Sequence, residues 1–171
     1  MKVLSVLVVL IAASLLSQSA IACSEPHVPT FNQSLKVASS VFIFRITSIG
    51  LTDRAKGSSS LAGRVEIVET LKGKPEFQYF THQAFECGRL NLQVGRYYVL
   101  ATTQKGPVIN LVRGDKSVLD ITSDVLDSRP PPRGRYVTRA IRKAMSGKPL
   151  DNDLIRELSA RIYAFPPAPS E

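Results

Sequence analysis

Two cysteines, two histidines and one run of arginines are the residues with the most chemistry to offer in this chain. Cys23 and Cys87 are the only thiols, and His27 and His82 the only imidazoles. Four such groups could ligate zinc on paper, but their spacing matches no zinc motif, so neither a metal site nor another cofactor is expected. The sequence holds no Gly-x-Ser-x-Gly, no His-Glu-x-x-His, no phosphate-binding loop and no dinucleotide glycine pattern. Ser58, Ser59 and Ser60 fall in a stretch with no evident base beside them. These absences point away from an enzyme.

The meaning of Cys23 depends on what precedes it. Lys2 is followed by an apolar run from Val3 to Leu16, a short polar stretch Ser17–Ser19, and Ala20-Ile21-Ala22. That order is the pattern of a secretory signal peptide over 1–22, with small residues where a signal peptidase reads. The run is short of the ~20 apolar residues that span a bilayer, and no later segment is apolar enough to do so. The expected location is therefore secreted or periplasmic. In an oxidising compartment, Cys23 and Cys87 are expected to form a disulfide. Closing so long a loop contributes about 4 kcal/mol in chain-entropy terms. The alternative is a lipoprotein anchored at Cys23, since Ala20-Ile21-Ala22-Cys23 partly matches a lipidation box.

The formal net charge is +8. Much of the excess lies between Asp127 and Lys148, where seven basic residues face Asp127 as the sole acid. Arg133, Arg135, Arg139, Arg142 and Lys143 form the candidate patch for an anionic surface or polysaccharide, set against a plain solvated helix face. Export argues against nucleic acid as the partner.

The elements that must position these groups can be read in order. Thr30 is placed to cap a helix from Phe31 to about Ala38. Val41–Ile49 reads as a buried strand, Thr52–Leu61 as a polar hairpin loop, and Gly63–Leu71 as a second strand with Val65, Ile67 and Leu71 on one face. Further strands are expected at Phe77–Thr81, Arg96–Thr102 and Val108–Val112, with a short ribbon at Asp115–Leu119. Five strands separated by Gly and Pro turns suit an antiparallel closed barrel or sandwich. Phe77, Tyr79, Phe80, Tyr97 and Tyr98 would either stack on a ligand or fill its core. A proline-rich linker spans 128–133. Beyond it, a basic helical region over 134–163 contains two helices. One carries Val137, Ala140, Ile141, Ala144 and Met145 at helical spacing and stops at Gly147-Lys148-Pro149. The other starts near Asp151 and carries Leu154, Leu158 and Ile162. Residues 164–171 form a flexible tail.

Three segments in one order carry a resemblance. Ala38-Ser39-Ser40-Val41-Phe42 opens the first strand. Val65-Glu66-Ile67-Val68-Glu69-Thr70-Leu71-Lys72-Gly73 is a strand ending in a Leu-Lys-Gly turn. Cys87-Gly88 is followed by Val94-Gly95-Arg96-Tyr97-Tyr98-Val99-Leu100-Ala101. Together with a mature N-terminal cysteine, they make the stretch from Cys23 to Val112 resemble the TIMP-like, or netrin-like, family of metalloproteinase inhibitors and their bacterial relatives. The Cys-x-Cys start of the animal inhibitors is replaced here by Cys23-Ser24-Glu25. The resemblance implies a mainly β domain over 23–127: a five-stranded, OB-like antiparallel barrel with a short N-terminal helix, to which the two C-terminal helices are added. It also implies a partner, an extracellular or periplasmic metalloprotease. The α-amine and carbonyl of Cys23 would chelate the protease zinc, Ser24 would enter the protease pocket, and Cys87 would pin the terminus. The other reading is an envelope or extracellular binding module that uses its basic helical face.

Overall fold

The structure is a computed structural model that describes residues 29–54, 58–83, 90–111, 116–130 and 134–163. The signal segment, Cys23, Ser24, His27, Cys87, Arg133 and the 164–171 tail lie outside these residues.

The first element, α1 (Phe31–Val37), starts where Thr30 predicts it. The Gln33 amide donates to Thr30 Oγ1 at 3.3 Å, and the Thr30 amide donates to Gln33 Oε1 at 2.7 Å. This reciprocal capping box satisfies two amide groups that the helix start would otherwise leave orphaned. The helix buries Phe31 and Leu35.

Six strands follow: β1 (Ser40–Arg54), β2 (Ser58–Lys72), β3 (Tyr79–Gln83), β4 (Tyr97–Thr102), β5 (Val108–Leu111) and β6 (Val118–Asp120). They form one sheet in the order β5-β3-β2-β1-β4-β6. The protein is mainly β, as its sequence suggests, but the sheet has a sixth strand and is mixed. The expected ribbon is β6, paired antiparallel with β4, whereas β5 runs parallel to β3. The parallel pair follows from the path of the chain. After β4, the chain reverses at Gly106-Pro107 and lays β5 on the far edge, beside a strand already running the same way.

The sheet curls. Phe42, Phe44, Ile46, Tyr98 and Leu100 share a buried cluster with Ile109 and Leu111 from one edge and Val118 from the other. No helix residue belongs to this cluster, so the sheet and its loops must bury that face themselves. The opposite face holds Val41, Ile43, Val99 and Ala101 and is covered by helices. Burial on both faces explains why Val41–Ile46 reads as a nearly continuous apolar run rather than an alternation.

Extra residues bend the β1–β2 pair. The register runs from Ile43↔Glu69 to Phe44↔Ile67, leaving Val68 unopposed, and Leu71 and Thr47 are skipped in the same way. Each bulge reverses the side-chain parity of the residues beyond it. Val65 and Ile67 therefore pack in the curled-face cluster, while Leu71 packs against the helix side. Strict alternation would place all three together. At the end of β2, Gly73 has φ +76, and a Cβ there would lie 2.4 Å from the Ser39 carbonyl oxygen. Only glycine fits a left-handed turn against so close a backbone.

The hairpin also differs from expectation. Pairing continues through Thr52↔Ser60 to Arg54↔Ser58, so the expected loop Thr52–Leu61 is mostly strand. The Thr52 and Ser60 hydroxyls lie 2.5 Å apart, and Thr52 Oγ1 also donates to the Ser60 carbonyl. These contacts let polar residues sit in a ladder.

Three helices complete the fold: α2 (Thr122–Val125), α3 (Tyr136–Met145) and α4 (Asn152–Tyr163). Val137, Ile141, Leu150 and Leu158 join Phe31 and Leu35 on the helix-covered face. The C-terminal region is thus a layer of the same core. No described helix is long and apolar enough to cross a membrane.

Candidate functional site

The basic stretch meets the sheet through α3. A single carboxylate on α2 starts that helix. Asp124 is buried and accepts from the Val137 amide at 2.7 Å, the Thr138 amide at 2.9 Å and Thr138 Oγ1 at 2.7 Å. Anionic charge at a helix N-terminus satisfies the orphan amides and complements the helix dipole. Arg135, just before α3, has φ 52 and is the only non-glycine residue with positive φ among those described.

With its start fixed, Arg142 on α3 and Arg135 just before it are presented to β2. The Val68 bulge sets Glu69 opposite Ile43, whose side chain belongs to the helix-covered face. Glu69 therefore points at α3 and not into the apolar cluster. Arg135 Nη2 donates to Glu69 Oε2, and Arg142 Nη2 donates to Glu69 Oε1. Partial burial pushes the Glu69 carboxyl upward, but the hydrogen bonds from Arg135 and Arg142 more than offset it, so it titrates below its usual range. Arg135 Nε is buried without a hydrogen-bond partner. Arg139 donates to the Gly134 carbonyl. Lys143 is exposed, and Arg129, outside the expected patch, pairs with Asp127 at 2.8 Å. Arg139, Arg142 and Lys143 thus share α3, with Arg135 just before it, and Arg135 and Arg142 fasten the helix layer to the sheet.

The aromatic candidates divide. Phe77, Phe80 and Tyr98 are core residues. Burial pushes the Tyr98 hydroxyl up to about 12, against the opposing effect of a 3.0 Å hydrogen bond from the Gln93 amide. Tyr79 is 40% exposed, with the Arg64 guanidinium 5.7 Å from its ring centroid. His82 is fully buried. Its Nδ1 lies 3.0 Å from the Leu111 carbonyl oxygen, and its Nε2 accepts from the Leu90 amide at 3.2 Å. Both ring nitrogens are engaged by backbone, so His82 joins β3 to β5 and to the segment before β4. Among the described residues, no three of His, Cys, Asp and Glu stand together as metal ligands.

Glu69 and Asp124, the acids that meet α3, are missed by sequence reasoning. An acid in a strand ahead of a basic helix is the available signal for Glu69, but the bulge that turns it is not visible in the residue pattern. Nothing marks Asp124, whose partners lie thirteen and fourteen residues away across the linker.

No family model and no curated protein matches this chain.

Proposed function

We propose that this chain is an exported, non-catalytic protein of the TIMP-like kind, with an OB-like barrel and its working end at Cys23. The observation that carries this reading is the locked helix α1. Residues 23–29 lead directly into the Thr30 capping box, and Phe31, the next residue, is fully buried. The helix fixes the chain from Thr30 onward, and in this reading the disulfide between Cys23 and Cys87 is what lowers the ordering cost of the terminus on binding.

The positions of the three resembling segments lend further support. Ala38–Phe42 runs from the end of α1 into β1. Val65–Gly73 covers the second half of β2 to its left-handed turn, and Val94–Ala101 passes through the Gly95 turn, φ +84, into β4. In this reading, signal cleavage after Ala22 frees the Cys23 amine, and the disulfide with Cys87 holds it in place. The amine and carbonyl of Cys23 take the zinc of a periplasmic or extracellular metalloprotease, displacing its bound water, while Ser24 enters the pocket. A free α-amine has a pKa near 7.7–8.0, so zinc can compete with the proton around neutral pH.

The test is an inhibition panel of zinc metalloproteases, comparing the chain starting at Cys23 with one carrying an alanine before it. Inhibition by the first and its loss in the second is the expected result. No inhibition by either, or equal inhibition by both, overturns the proposal.

A further inference from the structure

Arg135 and Arg142, the cations that the sequence places most plainly on the surface, are committed to Glu69. Cations without an acidic partner stand elsewhere. A groove of about 380 Å³ runs between α1, the end of β2 and the C-terminal turn of α3. Lys36 enters it from α1 and Lys72 from β2, and no carboxylate lines it. Neither lysine takes part in any ion pair among the described residues. The rest of the lining is largely apolar: Leu35, Ala144, Met145 and Pro149. The volume falls within the ~300–1,000 Å³ typical of small-molecule sites.

Local hydrogen bonding holds the groove open. The Asn32 side chain donates to the Leu150 carbonyl at 3.0 Å and accepts from the Leu150 amide at 3.1 Å, tying the segment after α3 to α1. The end of α3 is closed by a Schellman turn. The Lys148 amide donates to the Lys143 carbonyl, and the Gly147 amide, at φ +109, donates to the Ala144 carbonyl. A helix C-terminus ordinarily repels anions through its unpaired carbonyls. Here two of those carbonyls are hydrogen-bonded within the turn, and the two lysine charges exceed the roughly half-charge of the helix end.

Two ammonium groups over an apolar floor select a ligand with an anionic head and a hydrocarbon body. A bare oxyanion would use the lysines and leave the floor empty, and a neutral apolar ligand would do the reverse. Met145 is unbranched and adaptable, which suits a flexible chain. We propose that this groove binds the phosphate head of an anionic lipid, with Lys36 and Lys72 on the phosphate oxygens and the first acyl carbons against Leu35, Ala144, Met145 and Pro149. This site is separate from the patch at Arg135, Arg139 and Arg142, and it does not depend on the role of Cys23.

The experiment titrates the chain from Cys23, which retains every described element, with dihexanoyl phosphatidic acid below its micelle concentration. Inorganic phosphate and dihexanoyl phosphatidylcholine serve as comparison ligands, and binding is followed by calorimetry and backbone amide shifts. Phosphatidic acid should bind at least tenfold more tightly than either, with shifts centred on Lys36, Lys72, Met145 and Gly147. The double variant Lys36→Gln/Lys72→Gln should lose at least tenfold in affinity with an unchanged melting temperature. Lys74→Gln/Lys105→Gln, on a separate hollow, should bind as the parent does. Absent binding, equal binding of phosphate or phosphatidylcholine, or an unaffected Lys36→Gln/Lys72→Gln variant overturns the proposal.

Discussion

Replacing Asp124 by alanine should destabilise this protein well beyond the range of ordinary surface changes. Asp124 is 7% exposed and makes three hydrogen bonds, two to first-turn amides of α3 and one to Thr138 Oγ1. Loss of a capping side chain costs about 0.5–2 kcal/mol. A hydrogen bond to a charged group contributes about 1.5–3 kcal/mol, and a buried donor left without an acceptor costs about 1–3 kcal/mol. These terms overlap, because the same bonds are counted in each, so the net loss for Asp124→Ala is about 2–4 kcal/mol. Asp124→Asn keeps one carbonyl acceptor and should lose about half as much. For a chain of this size, 1 kcal/mol moves the melting temperature by roughly 2–4 °C, so the alanine variant should melt roughly 4–16 °C lower. Urea unfolding with an unchanged m-value is the assay. A loss below about 0.5 kcal/mol, the range of ordinary surface changes, would refute the capping role. So would an asparagine variant as unstable as the alanine variant.

Other expectations concern stability and ligand binding. Because the Glu69 carboxyl is held below its usual range, its contribution is fully present above the unfolded value near pH 4.3 and fades as pH falls through the lower folded value. Glu69→Gln should therefore cost about 1 kcal/mol at neutral pH, a small value because both arginines are half-exposed, and should flatten the acid limb of a stability–pH curve. A wild-type curve with no acid limb in this region would remove the basis for this. His82→Ala strands the Leu111 carbonyl and the Leu90 amide in the core and should cost about 2–4 kcal/mol by urea unfolding. A cost near zero would mean that water or a rearranged backbone replaces both bonds. The lipid-head groove predicts that phosphatidic acid raises the melting temperature of the parent chain and leaves that of Lys36→Gln/Lys72→Gln unmoved.

Local signals announce local structure. Thr30 and Gln33 are three residues apart, and a capping box needs nothing more distant, so α1 is legible. The apolar periodicity of Val137, Ile141 and Ala144, and the stop at Gly147, likewise place α3. Strands β1, β2 and β4 declare themselves through β-branched and aromatic runs. The features that the residue pattern hides depend on pairing at a distance. The bulge at Val68 exists only relative to β1, yet it decides that Glu69 meets α3 and that Leu71 leaves the company of Val65. The parallel seat of β5 depends on which sheet edge is free when the chain returns. The four-residue helix α2 is too short to show a period, although its Asp124 fixes where α3 begins. The basic run is plain in the sequence as charge on one helical region, but which of its cations stay unpaired is a tertiary question. Cys23, Ser24, Cys87 and Arg133 lie outside the described residues, so their roles rest on the resemblance and on the chemistry of a free terminus.

That terminus is the centre of the functional account, and blocking a single atom tests it. The chain beginning at Cys23 should be compared with the same chain acetylated on the Cys23 amine, by measuring the inhibition constant of each against the metalloprotease that the panel shows to be most sensitive. Acetylation removes the zinc-binding lone pair and leaves every described element, including each lysine of the groove, as it was. The account predicts that acetylation weakens inhibition at least a hundredfold, on the order of 3 kcal/mol. Equal inhibition by the two forms, or a panel in which no protease is inhibited, would contradict it.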